Sequence, residues 1–136
     1  MSSTKEPAPT GAPVLSQRRR VVTAAVIDVV VVLVFALIGR AAHKEGSTPD
    51  GVLVVALPFL VGLLVGWIAS RAWLRPESPW PSGVVIVACT WAVGMGLRAL
   101  TGAGTAASFL LVAAGFLVVL LLGWRAMASM LLRSQR

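Results

Sequence analysis

The chain has 136 residues, 57% of them hydrophobic and only 12% charged, with a mean hydropathy of +0.88 and no Tyr. A water-soluble domain carries roughly a quarter charged residues, so this composition excludes an ordinary globular protein and a disordered one alike and leaves a single membrane domain. Lys and Arg number 12 against 5 Asp and Glu, a net charge of +7. These basic residues lie mostly at the edges of apolar runs, where they set topology and meet anionic headgroups, so nucleic acid is not needed to explain them.

Residues 1–17 hold Pro7, Pro9, Pro13, Gly11 and several Ser and Thr, with little to bury, which predicts a disordered tail. Arg18, Arg19 and Arg20 open the membrane domain, expected over 18–136, and the first helix is expected at about 21–38, interrupted only by Asp28. A run of about 18 residues rises roughly 27 Å as a helix, close to a hydrocarbon thickness. A cleaved secretory signal is the poorer reading, because its apolar region is usually only about 7–15 residues long. Ala41 to Asp50 reads as a short polar link containing His43, which is expected to be solvated.

The second helix is expected at about 51–69, with Pro58 kinking it or freeing backbone carbonyls. Arg71, Arg75, Pro76, Pro79 and Pro81 mark the next break, before a third helix at about 83–100 and a fourth at about 106–132. The intervening segment is the Gly-rich Thr101-Gly102-Ala103-Gly104-Thr105. Membrane strands alternate polar and apolar residues, and these runs do not. The predicted fold is therefore all-α, a polytopic membrane protein built as an antiparallel bundle of four transmembrane helices joined by short links.

Orientation follows from the basic residues. Lys5, Arg18, Arg19, Arg20, Arg71, Arg75, Arg125, Arg133 and Arg136 fall on one side, against Arg40, Lys44 and Arg98 on the other. The positive-inside rule then places both termini in the cytoplasm, with the protein expected in the plasma membrane.

Asp28 is the most informative residue. An acidic side chain in a spanning helix costs about 2.5–3.5 kcal/mol at the centre and survives when paired or lining a cavity. It could be a proton or cation site, or a carboxyl that ties helices together. It follows Arg20 by the same eight positions that separate Arg125 from Arg133, so both side chains should lie roughly 12 Å inside one interface if the fourth helix continues to Leu132. Two opposite charges at one depth should meet, and an Asp28–Arg125 ion pair is expected. The rival is a fourth helix that ends near Arg125, letting this side chain snorkel to the interface.

At the other end, Arg40 and Arg98 converge with Gly102, Gly104 and Thr105 at the start of the fourth helix, a combination suited to an anion. The alternative is a tight turn capped by Thr105. Gly62 and Gly66 form a GxxxG that suits close packing within one protomer better than a dimer seam. Trp67, Trp73, Trp80 and Trp124 suit an interfacial belt, while Trp91 is expected to pack inside. Cys89, the only cysteine, reads as a small core residue, which leaves neither an intramolecular disulfide nor a multi-cysteine metal site.

The segments Asp28, Phe35 to His43, Pro58 to Gly62, Gly66-Trp67, Gly96-Leu97-Arg98, Gly102 to Phe109 and Leu122-Gly123-Trp124-Arg125 resemble the domain-of-unknown-function 3054 family. That family comprises small prokaryotic integral membrane proteins. The resemblance covers about Asp28 to Arg125; it implies the membrane class and, the family having no assigned activity, adds no catalytic residue.

Neither catalytic residues, nor metal ligands, nor a cofactor are expected: a His cluster, paired acids and a Ser/His arrangement are all missing. The expected role is that of a non-enzymatic scaffold or accessory subunit. The alternative is a minimal oligomeric transporter that uses Asp28. Expected partners are the lipid bilayer, anionic lipids within it, and a second copy or another membrane protein.

Overall fold

The computed structural model describes residues 12–42 and 48–136. Among them every regular element is helical: α1 (Ala12–Ala42), α2 (Pro49–Ser70), α3 (Val84–Leu100), α4 (Ala107–Leu117) and α5 (Gly123–Ser134). Wide π-type turns occupy Pro79–Gly83, which leads into α3, and Val118–Leu122, which joins α4 to α5 without breaking the helix. Four stretches, Ser16–Ala41, Pro49–Ser70, Pro79–Leu100 and Ala107–Ser134, are long and apolar enough to cross a membrane, the third interrupted near its start at Trp80, whose φ of −130° and ψ of 133° are extended.

Two boundaries differ from expectation. Helix α1 reaches back to Ala12, so residues 12–17 of the expected tail are helical; residues 1–11 lie outside the described residues, as does His43. Pro13 sits in the first turn, where its missing N–H has no helical acceptor to lose. One turn further on, Gln17 Nε2 donates to the carbonyl of Trp73 at 2.7 Å, a contact between distant segments that tail composition cannot reveal. The fourth apolar stretch continues through Arg125 to Ser134, so the rival in which it ends near Arg125 does not hold.

Packing follows residue size. On α2, Gly62 and Gly66 are buried against α3, where an added Cβ would fall 2.8 Å from the Cα of Thr90 and of Ile86 respectively. Missing side chains thus let these backbones approach, as GxxxG spacing allows. A third glycine, Gly94 on α3, makes room for the ring of Phe59. Phe35 on α1 then gathers the remaining helices, standing edge-on to Phe59 at 4.9 Å and lying 5.7 Å from Phe116 and 6.2 Å from Phe109. Along α1 and α2, Phe35 meets Phe59 and Asp28 meets Trp67, so numbers fall on one helix as they rise on the other.

Polar groups inside are satisfied locally where they can be. Thr90 Oγ1 donates to the Ile86 carbonyl at 2.7 Å, and Ser70 Oγ to that of Gly66 at 2.7 Å. Large apolar side chains cover the outside instead, including Val54, Leu64, Ile68, Leu111, Val112 and Val119. In water so much exposed apolar surface would drive association; against acyl chains it is the expected exterior.

Candidate functional site: a buried charge centre

Helix α1 carries Asp28 and α5 carries Arg125, and neither side chain has any solvent exposure. The two meet in a forked arrangement: Arg125 Nη1 donates to Asp28 Oδ1 at 2.8 Å, and Nη2 to Oδ2 at 2.5 Å. Planar guanidinium and planar carboxylate match edge to edge, the geometry that makes such pairs strong and directional. Two indoles complete the shell. Trp124 Nε1 donates to Oδ1 at 2.9 Å and Trp67 Nε1 to Oδ2 at 2.8 Å. Each carboxylate oxygen therefore accepts two hydrogen bonds, close to its full capacity.

Arg125 is held as tightly. Nη1 also donates to the Leu121 carbonyl at 3.0 Å, and the guanidinium carbon lies 4.6 Å from the centre of the Trp124 ring. Its Nε is buried without a hydrogen-bond partner. Gly83, just before α3, makes space for this side chain, since an added Cβ would fall 3.0 Å from Arg125 Cδ and 2.8 Å from Leu122 Cδ2. The centre thus draws on α1, α2, α5 and the turn that opens α3.

Trp67 and Trp124 were expected in an interfacial belt, and here the structure corrects the sequence reading. Both indoles turn inward to Asp28 because a half-buried indole N–H seeks an acceptor, and the carboxylate is the strongest one nearby. Trp124 directly precedes Arg125, and that adjacency is the signal the sequence holds for its place beside the pair. Trp73 and Trp80 are exposed, whereas Trp91 is half-buried and donates to the Leu110 carbonyl at 3.1 Å.

One element along, beside the charge centre, the α2–α3 link is tied to α1 by a second forked pair. Arg20 Nε donates to Glu77 Oε1 at 2.8 Å and Nη2 to Oε2 at 2.6 Å. The guanidinium holds the Glu77 carboxyl below the usual carboxylate range, outweighing the opposing effect of its partial burial.

At the opposite end, Arg40, Arg98 and Gly104 help line an opening of about 230 Å³ together with Phe35, Val55 and Phe109; Gly102 and Thr105 do not line it. Gly102 and Gly104 have φ of +71° and +72°, the left-handed conformation that glycine adopts without strain, so both serve the turn. Arg98 Nη2 donates to the Ala103 carbonyl at 2.7 Å, and its guanidinium carbon lies 4.7 Å from the centre of the Phe109 ring. Arg40 packs over Gly51, where an added Cβ would fall 2.5 Å from its Cζ. The expected cap at Thr105 is not formed: Ala106 holds the N-cap position of α4 and no side chain caps it. Among the described residues no three His, Cys, Asp or Glu side chains gather as a metal site would require.

Four long apolar helices and a saturated charge centre inside them mark the class, a small all-helical membrane protein. A family model described as a protein of unknown function (DUF3054) matches residues 25–128, a span that takes in both Asp28 and Arg125, and the chain belongs to that family. No curated protein and no solved structure matches.

Proposed function

We propose that this protein is a non-enzymatic scaffold or accessory subunit of the plasma membrane, in which the Asp28–Arg125 centre locks the helices into one arrangement. The observation that carries this reading is the saturation of Asp28: a fully buried carboxylate accepting four donors has its acceptor capacity already filled by the protein's own groups, which leaves little of it for a cation. A transporter site must lose and regain such a ligand in every cycle, and breaking a buried pair of this kind costs several kcal/mol. The four-donor shell therefore favours a fixed structural role over the minimal transporter.

Both termini and the 71–82 link are assigned to the cytoplasm. This assignment rests on the nine basic residues of that side and is supported by Gln17–Trp73 and Arg20–Glu77, which bring the start of α1 and the link to one end. Partners are the surrounding lipid, anionic lipid included, and a membrane protein or second copy docked on the exposed apolar faces.

The test is a flux measurement on the full chain in proteoliposomes carrying a proton or cation gradient, run beside native-membrane co-purification. The scaffold reading expects no flux that depends on Asp28 and a stoichiometric protein partner. Flux that disappears in Asp28→Asn while the variant stays folded would overturn it in favour of transport.

A further inference from the structure

At the Arg20–Glu77 end two hollows share a wall. The first, of about 510 Å³, is lined by Arg75, Ser129, Arg133 and Arg136, with Glu77 as its single acidic side chain. The second, of about 380 Å³, is a largely apolar groove between α1 and α5, lined by Ala24, Ile27, Trp124, Ala128 and Leu131. Arg20, Glu77 and Leu132 line both. Each is of a size that holds a ligand or a substantial part of one.

Charge and placement identify the occupant. Glu77 is already neutralised by Arg20, whereas Arg75, Arg133 and Arg136 are exposed and carry no ion pair among the described residues. The first hollow is therefore positive, with guanidinium groups whose forked donors suit phosphate oxygens. A free phosphate would fill that hollow and leave the groove empty. The groove, however, runs along the membrane-spanning stretches of α1 and of α4 to α5, where an acyl chain lies. An anionic head joined to an apolar tail satisfies both at once.

We infer that the basic hollow and its adjoining groove form one binding site for an anionic phospholipid, the head on Arg75, Arg133 and Arg136 and an acyl chain between α1 and α5. The occupied groove reaches Trp124, and so sets the lipid against the outer side of the charge centre. The site stands on geometry and charge at this end alone, and holds whether the protein is a scaffold or a transporter.

The test uses the full chain in nanodiscs containing equal phosphatidylglycerol and phosphatidylcholine, released into native mass spectrometry to count retained lipids. The wild type should retain phosphatidylglycerol selectively. Arg75→Gln with Arg133→Gln should lower that selectivity about twenty-five-fold, since each basic residue near an anionic headgroup contributes roughly a factor of five. Arg18→Gln with Arg71→Gln, which removes the same charge from residues that line neither hollow, should change it less than about twofold. Ala128→Trp, which fills the groove, should lower phosphatidylglycerol retention with all the arginines in place. Circular dichroism of each variant establishes that it is folded. Equal retention of the two lipids, an equal loss in the control pair, or unchanged retention in Ala128→Trp would overturn the assignment. Displacement of the lipid by millimolar inorganic phosphate would instead make this a free-anion site, and would overturn it too.

Discussion

Removing either charge from the Asp28–Arg125 pair should destabilise the protein, and the two losses should differ. In Asp28→Asn, whichever way the amide is turned, its NH₂ faces a pair of donors, either Arg125 Nη1 with Trp124 Nε1 or Arg125 Nη2 with Trp67 Nε1. The guanidinium also stays charged and buried, because Arg cannot shed its proton. Breaking a buried pair in this way costs about 3–5 kcal/mol. Arg125→Gln should cost less, about 3 kcal/mol, at the lower end of that range, because two indole donors remain to hold the carboxylate. The double variant should recover about 1–3 kcal/mol of the summed losses, the coupling expected of groups in direct contact. Denaturant titration in detergent, followed by far-ultraviolet circular dichroism and Trp emission, measures all four corners of the cycle. Losses that add to within about 0.5 kcal/mol, or a larger loss for Arg125→Gln than for Asp28→Asn, would refute the reasoning.

Three further outcomes are expected. Trp67→Phe and Trp124→Phe should each cost about 1 kcal/mol in the same titration, as one intramembrane hydrogen bond does, and in an Asp28→Asn background the one whose indole faces the amide NH₂ should lose its cost. Gly62→Leu and Gly66→Leu should force α2 from α3 at about 1–3 kcal/mol or more, while Gly96→Ala, whose added Cβ meets nothing within 4 Å, should be neutral or gain up to about 1 kcal/mol. Glu77→Gln should cost under about 1 kcal/mol at neutral pH, because Arg20 is half exposed and solvent screens the pair. Since folding lowers the Glu77 pKa, that contribution is complete above the ordinary carboxylate range and fades as pH falls through the lowered value; a wild-type advantage that grows on acidification would contradict it.

Much of the membrane architecture is written in local pattern. Four apolar runs broken by Pro, Gly and Arg locate the helices to within a few residues, the start of α1 excepted, because length and hydropathy are one-dimensional properties. The depth of Asp28 and Arg125 is also one-dimensional, a rise per residue counted from Arg20 and Arg133. Rotation about the helix axis is different. Whether Trp67 faces lipid or Asp28 depends on how α2 is turned, which Gly62 and Gly66 set through contacts with Ile86 and Thr90 on another helix. Trp124 depends on the π-type turn at Val118–Leu122, which shifts the phase of everything after it and departs from a 3.6-residue count. The helical start at Ala12 was hidden for a similar reason, since Gln17 finds its acceptor at Trp73.

The partners of Asp28 also arrive in a fixed order during synthesis. Trp67 follows it by 39 residues, Trp124 by 96 and Arg125 by 97. At about 5–20 residues per second the carboxyl waits roughly 5–20 s for its counter-charge, with a single indole donor to meet it in the meantime. Helix α1 therefore enters the bilayer carrying a burden of about 2.5–3.5 kcal/mol that only the last helix lifts. Nascent chains should be exposed to membrane proteases until that moment and protected after it. A chain stopped just before Arg125 should be cleared faster in pulse-chase labelling than one that extends past it, and equal lifetimes would show that α1 is secured without its distant partner.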